Sequence, residues 1–125
     1  MIGEDVVALW NKDARVYKVV SPKEAYEFAQ NDPKVILLDV RTLEEYNELG
    51  HIANTILIPV QELESRLDEL EKHKGKQIIA ICRSGNRSGI AADLLTRHGF
   101  SAMNMAGGMI RWNEERLPVV RGTSQ

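Results

Sequence analysis

The chain has 125 residues, of which 43% are hydrophobic and 27% charged, and its formal net charge is −2 at pH 7. A chain of this length fits one globular domain that buries about two thirds of its unfolded surface. The slightly acidic balance gives no general attraction to nucleic acid or to an anionic membrane surface. The single cysteine excludes an internal disulfide, a CxxC redox pair and a thiolate-rich zinc site.

We do not expect a secretory signal peptide in the N-terminal residues. The N-terminus begins Met-Ile-Gly-Glu-Asp, with acids where a secretory signal has basic residues. No apolar run reaches the ~18 residues of a membrane span, so we expect a soluble, cytoplasmic protein. The predicted elements occupy residues 16–118, which leaves an N-terminal extension of unassigned role at residues 1–15 and a C-terminal tail at residues 119–125.

A short strand over residues 16–20 and a helix are the first predicted elements. Ser21 and Pro22 supply an N-cap and a first helical residue, and Glu24 follows the cap by three residues, as a capping box requires. Asp32-Pro33 ends this helix. Its predicted buried stripe consists of Ala25, Phe28 and Ala29.

Two continuous apolar runs predict strands that are covered on both faces. Residues 35–38 read Val-Ile-Leu-Leu, and residues 55–59 read Thr-Ile-Leu-Ile-Pro. Asp39 and Arg41 lie at the carboxyl end of the first run, and a short acidic helix is predicted at residues 44–49. A longer amphipathic helix follows, in which apolar residues recur at three- and four-residue intervals: Val60, Leu63, Leu67 and Leu70.

The only cysteine lies between a strand and a helix. A strand predicted over residues 77–81 leads into the sequence Cys-Arg-Ser-Gly-Asn-Arg-Ser, residues 82–88, which we call the thiol loop, and a helix is predicted over residues 89–98. A helix N-terminus offers unpaired N–H groups and the positive end of a dipole, and Arg83 and Arg87 add positive charge. This environment favours a thiolate and an anionic substrate.

A free cysteine is often a small core hydrophobe, which is the alternative reading of Cys82. The apolar run stops at Cys82, however, and places the thiol at the carboxyl end of a strand, where open α/β sheets bind ligands. We therefore predict that Cys82 is catalytic. The candidate substrate-binding residues are Arg83, Ser84, Gly85, Asn86, Arg87 and Ser88, together with Arg41. For Arg41 the alternative is an ion pair with Asp39 or Glu45.

The remaining elements continue an alternation of strands and helices. The helix after the thiol loop is predicted to bury Ile90, Ala91, Leu94 and Leu95. Residues 103–105 predict a weak last strand, and Gly107-Gly108 turns the chain into a terminal helix that carries Trp112. This order predicts the α/β class, with one mostly parallel sheet and helices on both faces.

No metal or other cofactor is expected. The three histidines, His51, His73 and His98, lie far apart and show no metal-ligand spacing. A thiolate that the loop already stabilises needs no general base, so we expect a structural role for His51.

Five motifs in register resemble the rhodanese family, in its single-domain sulfurtransferase form, over about residues 16–118. They are Val20-Ser21-Pro22, Asp39-Val40-Arg41, Glu45-Tyr46 followed by Gly50-His51-Ile52, the thiol loop, and Gly107-Gly108 followed by Trp112. The family commonly has Pro-Gly-Ala after Gly-His-Ile, where this chain has Ala53-Asn54-Thr55. We expect Asn54 to adopt the left-handed conformation of that glycine.

The resemblance implies a rhodanese domain that carries out a double displacement. Cys82 would take the outer sulfur of thiosulfate or a similar small anionic donor, release sulfite and hold a persulfide. A thiol, cyanide or a protein thiol would then accept the sulfur. Arg83 and Arg87 would contact the donor's oxygens, and the backbone amides of the loop would hold the anionic sulfur. The implied partners include no nucleic acid and no membrane.

Two rival functions remain open from the sequence. A cysteine phosphatase or arsenate reductase could use the same topology, but the phosphatase pattern Cys-x5-Arg requires its arginine at position 88, which is Ser88 here. A non-enzymatic rhodanese-like module that binds protein partners is the other rival. Such modules often lack the cysteine, which this chain keeps.

Overall fold

The computed structural model describes residues 17–122, and one parallel sheet organises them. Its strands are β1 (Lys18–Val20), β2 (Ile36–Asp39), β3 (Ile56–Leu57), β4 (Gln77–Ile81) and β5 (Ser101–Met105). The α-helices are α1 (Pro22–Asn31), α2 (Leu43–Glu48), α3 (Val60–Leu63), α4 (Asn86–Arg97) and α5 (Gly108–Glu114). The strand order is β1-β5-β4-β2-β3, with every pairing parallel. Residues 1–15 and Val16, the predicted start of the first strand, lie outside the described residues.

The sheet separates two apolar cores. Successive side chains of a strand point to opposite faces, so Ile78 and Ala80 of β4 pack against α3 and α4, whereas Ile79 and Ile81 pack against α1 and α5. Both faces of β4 are therefore buried, as its continuous apolar run predicts. The predicted α/β class and the mostly parallel sheet are confirmed. No helix within residues 17–122 has the length and apolar character needed to cross a membrane.

Two residues predicted to be buried are exposed. Phe28 is 42% exposed and Ile90 is 64% exposed. At 100° per residue, Phe28 lies about 90° from the centre of the buried stripe of α1, and Ile90 lies about 150° from that of α4. The buried members are Pro22 and Ala25 in α1, and Ser88, Ala91, Ala92 and Leu95 in α4.

The prediction of one long amphipathic α-helix from Val60 to the turn at Gly75 is wrong. α3 ends at Leu63 and continues as a 3₁₀-helix over Glu64–His73, with non-helical backbone at Arg66. The Ser65 hydroxyl donates to the Glu62 carbonyl at 3.0 Å, a side-chain bond that competes with the regular helix ladder. Leu63 and Leu70 are nevertheless fully buried, so the apolar spacing identified the core residues but not the helix type.

The segment assigned to the C-terminal tail lies against the domain as far as residue 122. His51 and Val120 exchange two backbone hydrogen bonds of 2.8 Å, and the Gly122 N–H donates to the Asn47 carbonyl. Residues 123–125 are outside the described part of the chain. At the family's Pro-Gly-Ala position, Asn54 has φ 65°, which confirms the expected left-handed conformation.

Candidate active site

Two neighbouring strand ends bring the predicted site residues together. β2 and β4 are adjacent, and Asp39 pairs in register with Ile81, the residue before Cys82. The Val40 N–H donates to the Ile81 carbonyl at 2.9 Å, which joins the two strand ends beyond the sheet. The Cys82 side chain is only 1% exposed, at the carboxyl end of β4. The thiol thus lies at the edge of the sheet where the topology predicts a ligand site.

The helix that follows the thiol has no side-chain cap. α4 begins at Asn86, three residues earlier than predicted, and its N-cap is Gly85 with a left-handed φ of 104°. The helices α1 and α2 are capped by the hydroxyls of Ser21 and Thr42, each of which accepts a backbone N–H. At α4 the Gly85 N–H instead donates to Cys82 Sγ at 3.0 Å. The unpaired amides of this helix end are therefore available to the sulfur.

Hydrogen bonds to the sulfur lower the pKa of the Cys82 thiol by more than burial raises it. Burial by itself raises the pKa of the Cys82 thiol, because it disfavours the charged form. The Ser88 hydroxyl and the backbone N–H groups of Ser88, Gly85 and Ser84 act in the opposite direction. The net pKa lies below the ordinary value of a cysteine, so the site favours the thiolate that a nucleophile requires.

Cys82, the buried Ser88 and the partly buried Asn104 form a hydrogen-bond network. Ser88 Oγ lies 3.3 Å from Cys82 Sγ and also donates to Asn104 Oδ1. Asn104 Nδ2 donates to the Gly85 carbonyl at 3.1 Å. Sequence reasoning did not identify Asn104, although a polar residue within the mostly buried strand β5 was an available signal.

The start of α5 supports the thiol loop from behind. The N–H groups of Met109 and Ile110 donate to the carbonyls of Cys82 and Arg83 at 2.9 and 3.0 Å. Gly108 has φ +58°, and a Cβ atom on it would overlap the Arg83 carbonyl. The second glycine of the Gly-Gly motif is therefore needed for this close approach.

Arg87 is held in a bidentate ion pair with Glu45. Arg87 Nη1 and Nη2 donate to the two carboxylate oxygens of Glu45 at 2.7 and 2.8 Å. The hydrogen bond from Arg87 lowers the pKa of Glu45 to about 2, against the smaller opposing effect of burial. The pKa of Arg87 is raised chiefly by Glu45, with smaller contributions from the charges of Cys82 and Asp39. Sequence reasoning placed Glu45 in a motif but not at the site.

Arg41 forms an internal ion pair. Its side chain and that of Asp39 are each 1% exposed, and Arg41 Nη2 lies 2.8 Å from Asp39 Oδ2 and 2.9 Å from the Gly50 carbonyl. Of the two alternatives for Arg41, the structure therefore has the ion pair with Asp39. The predicted substrate-binding role is not supported, because every one of these contacts is inside the domain.

The other predicted loop residues are at the surface. Ser84, Asn86 and Arg83 are exposed, and within residues 17–122 the Arg83 side chain forms no hydrogen bond or ion pair. His51 is fully buried, with Nδ1 2.8 Å from the Tyr46 carbonyl and its ring stacked on that of Tyr46, in keeping with a structural role. The described residues contain no cluster of three or more His, Cys, Asp or Glu that could hold a metal ion.

Comparison with known proteins gives the same family as the motifs. Residues 21–115 match the sequence model of the rhodanese-like domain. The putative sulfurtransferase YtwF of Bacillus subtilis is 34% identical over 101 residues, which cover 81% of this chain and 95% of that protein. The uncharacterized protein YibN of Escherichia coli strain K12 is 35% identical over 107 residues, covering 84% of this chain and 73% of that protein.

A solved structure agrees in fold as well. The rhodanese-related protein of Thermoplasma volcanium superposes with a TM-score of 0.75 and 36% identity, covering 83% of this chain and 98% of that chain. Since the family model matches residues 21–115, which include the strand, loop and helix around Cys82, and the relatives are more than 30% identical over most of the chain, the chain belongs to the rhodanese-like domain family.

Proposed function

We propose that this protein is a sulfurtransferase that carries sulfane sulfur as a persulfide on Cys82. The observation that carries the proposal is the sulfur itself, held 3.0 Å from the Gly85 N–H at the uncapped start of α4. Such a site stabilises a thiolate and, after transfer, the anionic outer sulfur of a persulfide. The relative YtwF is named a putative sulfurtransferase, which supports the same chemistry.

The donor that we propose is thiosulfate or a similar small anionic compound. The Cys82 thiolate attacks the outer sulfur of thiosulfate, the sulfur–sulfur bond of the donor breaks, and its electron pair leaves on sulfite. A thiol, cyanide or a protein thiol then attacks the outer sulfur of the persulfide, and Cys82 leaves as a thiolate. Because the Cys82 side chain is 1% exposed, a narrow terminal atom has better access than a bulky electrophile.

Arg83 is the stronger candidate for contact with the donor's oxygens. It is exposed beside the thiol, and no hydrogen bond or ion pair to another residue of the 17–122 range engages its side chain. The charge of Arg87, by contrast, is offset by Glu45. We therefore assign donor binding mainly to Arg83, and to Arg87 the positioning of the helix start.

The phosphatase alternative is weakened by position 88. A Cys-x5-Arg loop needs an exposed arginine there to hold the phosphate oxygens, whereas Ser88 is fully buried and lies 3.3 Å from Cys82 Sγ. If the protein were instead a non-enzymatic binding module, it would take up no sulfur, and the following experiment measures sulfur uptake.

Intact mass spectrometry before and after treatment with thiosulfate tests the proposal. We expect a gain of about one sulfur atom, ~32 Da, which cyanide then removes. Since the chain has one cysteine, Cys82→Ala should abolish the gain without changing the circular dichroism spectrum. Persistence of the gain in that variant would exclude Cys82 as the carrier. No gain with thiosulfate or with other sulfane donors would favour the binding module.

A further inference from the structure

We propose that Asn104 restrains the ionisation of Cys82 by competing for the single hydroxyl proton of Ser88. Asn104 does not contact the sulfur and acts through Ser88, so it is a positioning residue. The inference rests on the proposed function, since it concerns the nucleophile of that site, and nothing in the motifs assigns a role to Asn104.

The orientation of the Asn104 amide is fixed by the loop. Its Nδ2 donates to the Gly85 carbonyl at 3.1 Å, and the reverse orientation would place two carbonyl oxygens against each other. Asn104 Oδ1 therefore faces Ser88 Oγ and can only accept. Because a serine has one hydroxyl proton, Ser88 cannot donate to Asn104 Oδ1 and to Cys82 Sγ at the same time. With the proton on Asn104, Ser88 presents a lone pair to Sγ, 3.3 Å away, and only with the proton turned to the sulfur does the hydroxyl lower the pKa of the thiol.

This arrangement suits a thiol better than a thiolate. A neutral Cys82 donates its S–H to the Ser88 lone pair, and Ser88 donates its own proton to Asn104 Oδ1, so both hydrogen bonds are formed. A thiolate has no proton to give, so Ser88 must rotate its proton toward the sulfur and leave Asn104 Oδ1 without a donor. Asn104 is partly buried, and leaving its Oδ1 without the Ser88 donor is unfavourable, so Asn104 opposes the hydrogen bonds that favour the thiolate.

The restraint has a chemical use. The nucleophilicity of a thiolate falls as its pKa falls, and the best attacking thiol has a pKa near the ambient pH. A sulfur stabilised by several amides, without the opposing effect of Asn104, would be fully ionised but a weak nucleophile. After sulfur uptake, Sγ carries neither a charge nor a proton, so the Ser88 proton returns to Asn104. The pair therefore favours the thiol and the persulfide over the bare thiolate.

Other charged or titratable groups lie near the thiol loop or near Asn104, but they are not part of the hydrogen-bond network of Cys82, Ser88 and Asn104. At the loop they are Asp39, Arg41, Glu45, Arg83 and Arg87, and the titratable residues Tyr17 and Asp93 line the open pocket beside Asn104. None of them is hydrogen-bonded to Ser88 or Asn104 among the described residues. Their effect on Cys82 should consequently be the same with and without the Asn104 amide.

The test is a double-mutant cycle on the thiol pKa, read from the ultraviolet absorbance of the thiolate as a function of pH. With one cysteine in the chain, the signal belongs to Cys82 alone. Asn104→Leu should lower the pKa by about half a unit to one unit, the effect of one hydrogen bond to the sulfur. In a Ser88→Ala background, the same change should have no effect. Asn104→Ala provides a second, smaller replacement if the leucine variant does not fold.

Two results would overturn the proposal. One is an unchanged or raised pKa in both Asn104 variants. The other is an equal fall in the Ser88→Ala background, because the effect would then come from the lost bond to the Gly85 carbonyl and not from the hydroxyl proton. The titration requires no sulfur donor, so its outcome is independent of the mass measurement that tests sulfur transfer.

Discussion

Replacing Glu45 by glutamine should destabilise the protein at neutral pH, and the loss should shrink in acid. Glutamine retains the shape of Glu45 and can still serve in the capping box with Thr42, where the N3 residue accepts the Thr42 N–H at 2.9 Å. The substitution therefore removes mainly the charge that faces Arg87. The two side chains are 21% and 30% exposed, so the pair is partly shielded from solvent.

The magnitude follows from the pKa of Glu45, which falls from 4.5 to about 2. At about 1.4 kcal/mol per unit this corresponds to at most about 3 to 4 kcal/mol, and partial exposure reduces it to roughly 2 kcal/mol. Since the folded-state pKa is the lower one, this stability is fully present above pH 4.5 and is lost as the pH falls toward 2. The difference between wild type and Glu45→Gln should drop by more than half at about pH 3.

Urea unfolding of both proteins at pH 7 and at about pH 3 measures this difference directly. The matched control is Glu69→Gln, which removes an exposed carboxylate bonded to Arg66 and should alter stability little at either pH. An equal destabilisation at both pH values would refute the reasoning, because the cost would then come from lost packing and not from charge. A loss of stability in Glu69→Gln as large as that in Glu45→Gln would also refute the reasoning, because exposed and partly buried ion pairs would then be equivalent.

Two further predictions concern the thiol loop. Arg83→Ala should raise the thiosulfate concentration for half-maximal persulfide formation about tenfold, the effect of one charge-assisted contact. Arg97→Ala, at the opposite end of α4, should leave this concentration unchanged, and equal saturation curves for the two variants would remove Arg83 from donor binding. Gly108→Ala should destabilise the protein more than Gly75→Ala in thermal unfolding. Both glycines have positive φ, but a Cβ at Gly75 meets nothing within 4 Å, so equal losses would contradict the proposed overlap with the loop carbonyl.

The sequence correctly predicted those features that depend only on residues close together in the chain. The Ser21 capping box, the buried strands before Asp39 and Cys82, and the left-handed Asn54 all depend on residues within a few positions of one another. The parallel order and the meeting of two strand ends followed from the alternation of elements. These signals were sufficient to place the thiol at the correct edge of the sheet.

Long-range side-chain partners were not predictable in the same way. Arg87 and Glu45 are 42 positions apart, and nothing near either residue indicates that the arginine is paired with a carboxylate. Asn104 reaches Ser88 across 16 positions, in a register that the strand pattern alone does not fix. The start of α4 was placed too late because its glycine N-cap has no capping side chain that the sequence could reveal.

The absence of a capping side chain at Gly85 is what lets the start of α4 bind the Cys82 sulfur. Near the thiol, the positive charge of Arg87 is offset by Glu45, and that of Arg41 by Asp39. Apart from Arg83 and the Ser88 hydroxyl, the stabilisation of the thiolate then comes from backbone amides, which are fixed by the fold and do not titrate. A serine or threonine at position 85 would accept those amides and compete with the sulfur, and its side chain would be strained at φ 104°. Glycine at this position leaves the amides free to bind the sulfur of Cys82 and, under the proposed function, the outer sulfur of a persulfide.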